Sequence, residues 1–124
     1  MTVTSRQVRD DIERRCSAAD LAVEVARAEA AKAVADEVDY KRSYAKARLL
    51  ADHDAELKTV AARDATAELE TIDKLRAHLL SRAMAKIALE HVRTTRGHVS
   101  AAQTWAGFYK LEFEQAHKGP QVSP

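Results

Sequence analysis

No glycine or proline occurs in this chain before Gly97. These two residues interrupt helices more strongly than any others, so most of the 124 residues can run as helix without a backbone penalty. Composition points the same way. Ala, Glu, Lys, Leu and Arg supply 65 of the 124 residues, and about half is the level that marks coiled coils and long helices. Val, Ile, Phe, Tyr, Trp and Thr are scattered and never alternate over the length of a strand. The predicted fold is therefore all-α: a long antiparallel helical hairpin, coiled-coil-like, with a short C-terminal helix, and oligomeric. The length predicts a single domain over residues 1–118, followed by a disordered tail at 119–124 that begins with Gly119-Pro120.

Thr4 followed by Gln7 has the pattern of a capping box, and the first helix is predicted over about 5–51. Along it Ile12, Cys16, Ala19, Val23, Ala26, Ala30 and Ala33 recur at alternating four- and three-residue steps, a heptad seam. The seam drifts near Val34 and Val38, where Glu37 takes the strict heptad position, and resumes at Tyr40, Tyr44, Ala47 and Ala51. Its residues are small, so the large apolar residues are expected from a partner helix. A turn is predicted at about 52–58, and Thr59 is placed as the N-cap of a second helix over about 59–96. That helix carries Leu69, Ile72, Leu75, Leu79, Leu80, Met84, Ile87 and Leu89, which were expected to fill the seam. Gly97 predicts a break. Ser100 and Gln103 repeat the capping pattern, giving a third helix over about 101–117.

Charge supports a reversal near residue 55. The net formal charge is −4 over residues 16–39, +4 over 40–51, −5 over 52–73 and +5 over 74–98. An antiparallel hairpin sets each block against one of opposite sign. Exposed ion pairs contribute only about 0–1 kcal/mol each, so the pattern selects register more than it adds stability. Two long helices alone leave a thin core, and self-association into a homo-oligomer is expected.

No phosphate loop, dinucleotide fingerprint, zinc-protease motif or nucleophile elbow is present, and the chain reads as non-enzymatic with no cofactor and no metal. The five histidines lack an i, i+3 or i, i+4 pair, and His91 and His98 stand seven apart. Cys16 is the lone cysteine and fits the seam as a small residue. The acid pairs Asp36/Asp39 and Glu68/Glu70 fit a solvated helix face. No window of about eighteen apolar residues and no signal-peptide core occur, so no membrane association and a cytoplasmic setting are expected.

Two surfaces carry functional potential. Lys41, Arg42, Lys46 and Arg48, interleaved with Tyr40 and Tyr44, form a cationic stripe that can follow phosphates of single-stranded DNA. The alternative is that these cations pair across the hairpin with Asp64, Glu68 and Glu70. Trp105, Phe108, Tyr109 and Phe113 hold four of the six aromatic residues in the C-terminal segment and suit a protein interface.

The run Tyr40-Lys-Arg-Ser-Tyr44-Ala-Lys-Ala47, a short polar break, and Thr59-Val-Ala-Ala-Arg63-Asp-Ala-Thr-Ala67 together resemble small α-helical accessory proteins of tailed bacteriophages of Gram-positive hosts. The resemblance covers roughly residues 25–100. It implies an accessory role near phage replication and recombination, in the bacterial host cytoplasm, through an unidentified phage or host protein. It assigns no binding residue. The aromatic C-terminal segment departs from that pattern and leaves room for a different partner; a structural virion component is a further alternative.

Overall fold

The computed structural model describes residues 3–118, and the tail at 119–124 lies outside them. Among the described residues all regular structure is helical: α1 (Ser5–Asp52), α2 (Val60–Glu70) and α3 (Ile72–Lys118). α1 starts on a reciprocal cap. The Thr4 N–H donates to Gln7 Oε1 at 2.9 Å and the Gln7 N–H donates to Thr4 Oγ1 at 3.2 Å, which satisfies two donors that a helix start leaves orphaned. After α1 the chain turns without Gly or Pro, because the Asp54 carboxylate accepts from the Glu56 N–H at 2.9 Å and shapes the backbone as an Asx turn. Thr59, extended at φ −116° and ψ 152°, caps α2 by accepting the Ala62 N–H at 3.1 Å.

The helix interruption falls at Thr71 and not at Gly97. α3 runs unbroken through Gly97 and Gly107, so the break at 97 and the separate helix over 101–117 are both corrected. A Cβ at either glycine would meet nothing within 4 Å. Each glycine therefore acts only through its helix propensity, about 1 kcal/mol below Ala, which a long helix absorbs. Ser100 sits inside the helix, where its carbonyl accepts the Thr104 hydroxyl at 2.9 Å. At Thr71 the buried hydroxyl donates to the Ala67 carbonyl at 2.7 Å while its own N–H bonds that same oxygen at 3.2 Å. Thr71 leaves the helical region at φ −107° and ψ 11°; the same back-bonding at Ser81 and Thr95 leaves α3 intact, so it accompanies the interruption without causing it. The ladder resumes at once, with the Leu75 N–H donating to the Thr71 carbonyl at 2.9 Å.

Residues cluster into two compact units where chain length predicted one domain. One comprises Met1–Glu24 with Glu90–Pro124, the other Val25–Leu89. In the first, Ala19, Ala22, Val92 and Thr95 are buried, and the Tyr109 hydroxyl donates to the Val3 carbonyl at 2.6 Å. In the second, the buried residues are Ala47, Ala51, Ala67, Thr71, Ser81 and Ala88. Contacts in this unit follow a regular order. Arg48 meets Asp64 at 2.7 Å, Lys74 meets Asp39 at 2.6 Å, and the Ser81 hydroxyl donates to the Asp36 carboxylate. His78, between Lys74 and Ser81 on α3, stacks its ring on that of Tyr40 at 5.8 Å with 7° between their planes.

The large residues do not fill the seam. Leu80 is 65% exposed, Ile87 62% and Leu79 51%, whereas Ala67 is fully buried. At about 100° per residue, Ile72, Leu79, Leu80, Ala83 and Ile87 share one sector of α3, and the buried Ser81 and Ala88 lie about 140° away from its centre. α3 thus has one face of large apolar side chains and an opposite face of small ones, and the second unit buries the small one. Small side chains let helix backbones approach closely, so backbone and Cβ contacts supply the packing that long side chains would otherwise provide. α1 follows the same rule: Ala19, Ala47 and Ala51 of its seam are buried, and Tyr40 and Tyr44 are half-buried.

Candidate functional site

The four predicted phosphate-binding cations separate into two pairs. Arg48 is held between Asp52, one turn on in α1, and Asp64 of α2. Lys41 pairs with Glu37 at 2.8 Å, and this hydrogen bond, reinforced by the ammonium charge, holds the Glu37 carboxyl below its ordinary range. Arg42 and Lys46 are exposed and make no ion pair among the described residues. Of the expected pairings with Asp64, Glu68 and Glu70, the structure shows Arg48 with Asp64, while Arg42 and Lys46 face water. The tyrosines are not free stacking platforms. Tyr40 lies between Tyr44, at 6.2 Å, and His78, and burial raises the Tyr44 hydroxyl pKa, with the Asp64 and Glu68 charges adding to the shift.

The predicted aromatic cluster is only partly gathered. Trp105 and Tyr109 line one groove of about 480 Å³ together with Val3, Val8 and Ala102. The i, i+4 spacing places both rings on one side of α3, and the bond from Tyr109 to Val3 fixes that side against the N-terminal residues. Trp105 is 75% exposed and Phe108 is exposed without lining this groove. The Phe113 side chain lies outside the described ones. Arg15 and Asp11, paired at 2.9 Å, border the groove with charge.

Of the two acid pairs, Glu68 and Glu70 are exposed, while Asp36 and Asp39 have polar partners. Asp36 accepts from Ser81, and Asp39 binds Lys74, whose ammonium is raised above its ordinary pKa by that hydrogen bond. Among the described residues no group of three or more His, Cys, Asp or Glu side chains gathers as a metal site would, and no helix is long and apolar enough to cross a membrane. His78 Nδ1 is buried without a hydrogen-bond partner; the ring is held by its stack on Tyr40.

Sequence reasoning placed the Ile72–Ile87 stripe on the inside. The signal for the opposite reading was the other face of α3, where Ser81 and Ala88 stand seven residues apart. No protein-family model, curated protein or solved structure matches the chain.

Proposed function

We propose that the chain is a non-enzymatic helical interaction protein, an antiparallel hairpin that self-associates and docks a protein partner. The observation that carries this reading is the outward stripe of α3, whose large apolar side chains stand in water while small ones fill the seam. Contiguous exposed apolar surface of this kind marks interaction sites. The order of contacts from Arg48–Asp64 to Asp36–Ser81 supports the hairpin within Val25–Leu89. The resemblance over residues 25–100 directs the partner search to phage and host proteins of replication and recombination. Light scattering tests self-association: a mass of two or more copies is expected at about 100 µM, a range that detects micromolar association. A mass of 13.7 kDa throughout the concentration range contradicts it.

A second reading is favoured by the two cations that make no ion pair among the described residues. Arg42 and Lys46 stand one turn apart and exposed, so single-stranded DNA binding would rest on them and not on Lys41 or Arg48. A salt-sensitive shift of labelled single-stranded DNA, lost in Arg42→Ala/Lys46→Ala, supports that reading. No shift at low salt removes it.

A further inference from the structure

The outward stripe of α3 reads the same in both directions. Ile72 stands seven residues before Leu79, and Ile87 stands seven after Leu80; Arg76 and Ala83 are placed symmetrically between them. We infer that a second copy of this chain occupies this stripe, with the two α3 helices antiparallel about a two-fold axis between Leu79 and Leu80. This rests on the self-association proposed above and names its surface and geometry.

A two-fold interface uses the same patch on both copies and so requires a self-complementary pattern. In the antiparallel register, Ile72 faces Ile87 of the second copy, Leu79 faces its Leu80, and the long Arg76 side chain faces its Ala83. The small residue leaves room for the Arg76 stem to lie across the interface with its head in water. On the flanks, Arg82 and Lys86 come beside Leu75 of the second copy and Asp73 beside its Met84, so no like charges meet. A parallel, in-register pair would instead set Arg76 against Arg76, which is unfavourable.

Area agrees with a modest dimer. The exposed fractions of Ile72, Leu79, Leu80, Met84 and Ile87 leave on the order of 500 Å² per copy, at the upper end of what a monomer displays. Two such faces with the side chains around them approach the roughly 1,200 Å² at which specific interfaces begin. The stripe from Ile72 to Ile87 is about 22 Å long at 1.5 Å per residue, four turns of helix on each side. All of it lies within Val25–Leu89.

Cysteine cross-linking tests the geometry, in a Cys16→Ser background so that the native thiol does not compete. Leu80→Cys, next to the axis, is expected to form a disulfide-linked dimer under mild oxidation. Ile72→Cys alone, far from its own copy, is expected to form none, and Ile72→Cys/Ile87→Cys is expected to restore the link. Leu80→Glu should weaken association at least tenfold with helicity by circular dichroism unchanged. Cross-linking of Ile72→Cys as fast as Leu80→Cys overturns the antiparallel register. A native dimer that Leu80→Glu leaves intact overturns the surface while self-association stands; a native chain that stays monomeric removes both.

Discussion

Two opposite faces of α3 within Val25–Leu89 differ in side-chain size and in exposure. Ser81 and Ala88 are buried, and Leu79, Leu80 and Ile87, on the other side, are in water. Side-chain size alone would assign the faces the other way round. Close backbone approach favours the small face for packing inside the chain, and the area left on the large face is what another molecule can use. The teaching is that a long amphipathic helix can carry two stripes, and that the larger one is not automatically the core.

The comparison can be broken first at the buried seam of the same unit, to which α2 contributes Ala67. Ala67 has no exposed surface, so Ala67→Leu should destabilise the fold by about 1–3 kcal/mol through overpacking, read as a drop in the urea midpoint. A neutral outcome would mean that the seam is loosely packed. At the half-buried stack between the faces, His78→Phe keeps the ring on Tyr40 and removes the unpartnered Nδ1. It should stabilise by about 1 kcal/mol, since an unsatisfied buried polar atom is destabilising by that order; loss of stability would show that Nδ1 has a partner. Gly97→Ala, with open space around the added methyl, should raise stability by about 0.5–1 kcal/mol. A decrease would restore the break that the sequence suggested.

The smallest effect is electrostatic and concerns two exposed pairs. The Glu37 carboxyl is depressed by Lys41, so its contribution is present above the ordinary value of 4.5 and fades as pH falls below it. The Lys74 ammonium is raised by Asp39, so its contribution is present below the ordinary 10.5 and fades as pH rises through the folded value. Lys74→Met should therefore lower the melting temperature slightly at neutral pH, with the gap to the native chain closing above pH 10.5. A gap of constant size would mean that the Lys74–Asp39 pair is not the cause.

The caps at Thr4 and Thr59 were legible because a side-chain oxygen three residues from a free N–H is a local feature. The α1 seam was legible only in part: Ala19, Ala47 and Ala51 are buried, but Ala30 is exposed and Ala22, off the seam, is buried. The interruption at Thr71 was not legible, since Thr66, Thr95 and Thr104 make the same side-chain bond to the preceding turn and leave the ladder intact. Gly97 misled because propensity gives a small penalty that neighbouring turns override. Of the candidate site, the division of the basic quartet depended on which cations Asp52, Glu37 and Asp64 reach, and the sequence offered several acids for each. The aromatic cluster was placed on the right segment, but its groove with Val3 and Val8 joins residues about a hundred positions apart.

The central claim is that the small face holds the chain and the large face holds a second copy. Urea unfolding at about 1 µM and at about 100 µM, for the native chain and for Leu79→Glu/Leu80→Glu, tests both halves together, because a ligand that binds only the folded state makes stability concentration-dependent. The account predicts a native midpoint that rises with concentration and a variant midpoint that does not, with the two coinciding at the lower concentration. A variant that is already less stable than the native chain by more than about 1 kcal/mol in dilute solution, outside the ±0.5 kcal/mol usual for a surface change, would place Leu79 and Leu80 in the core and contradict it.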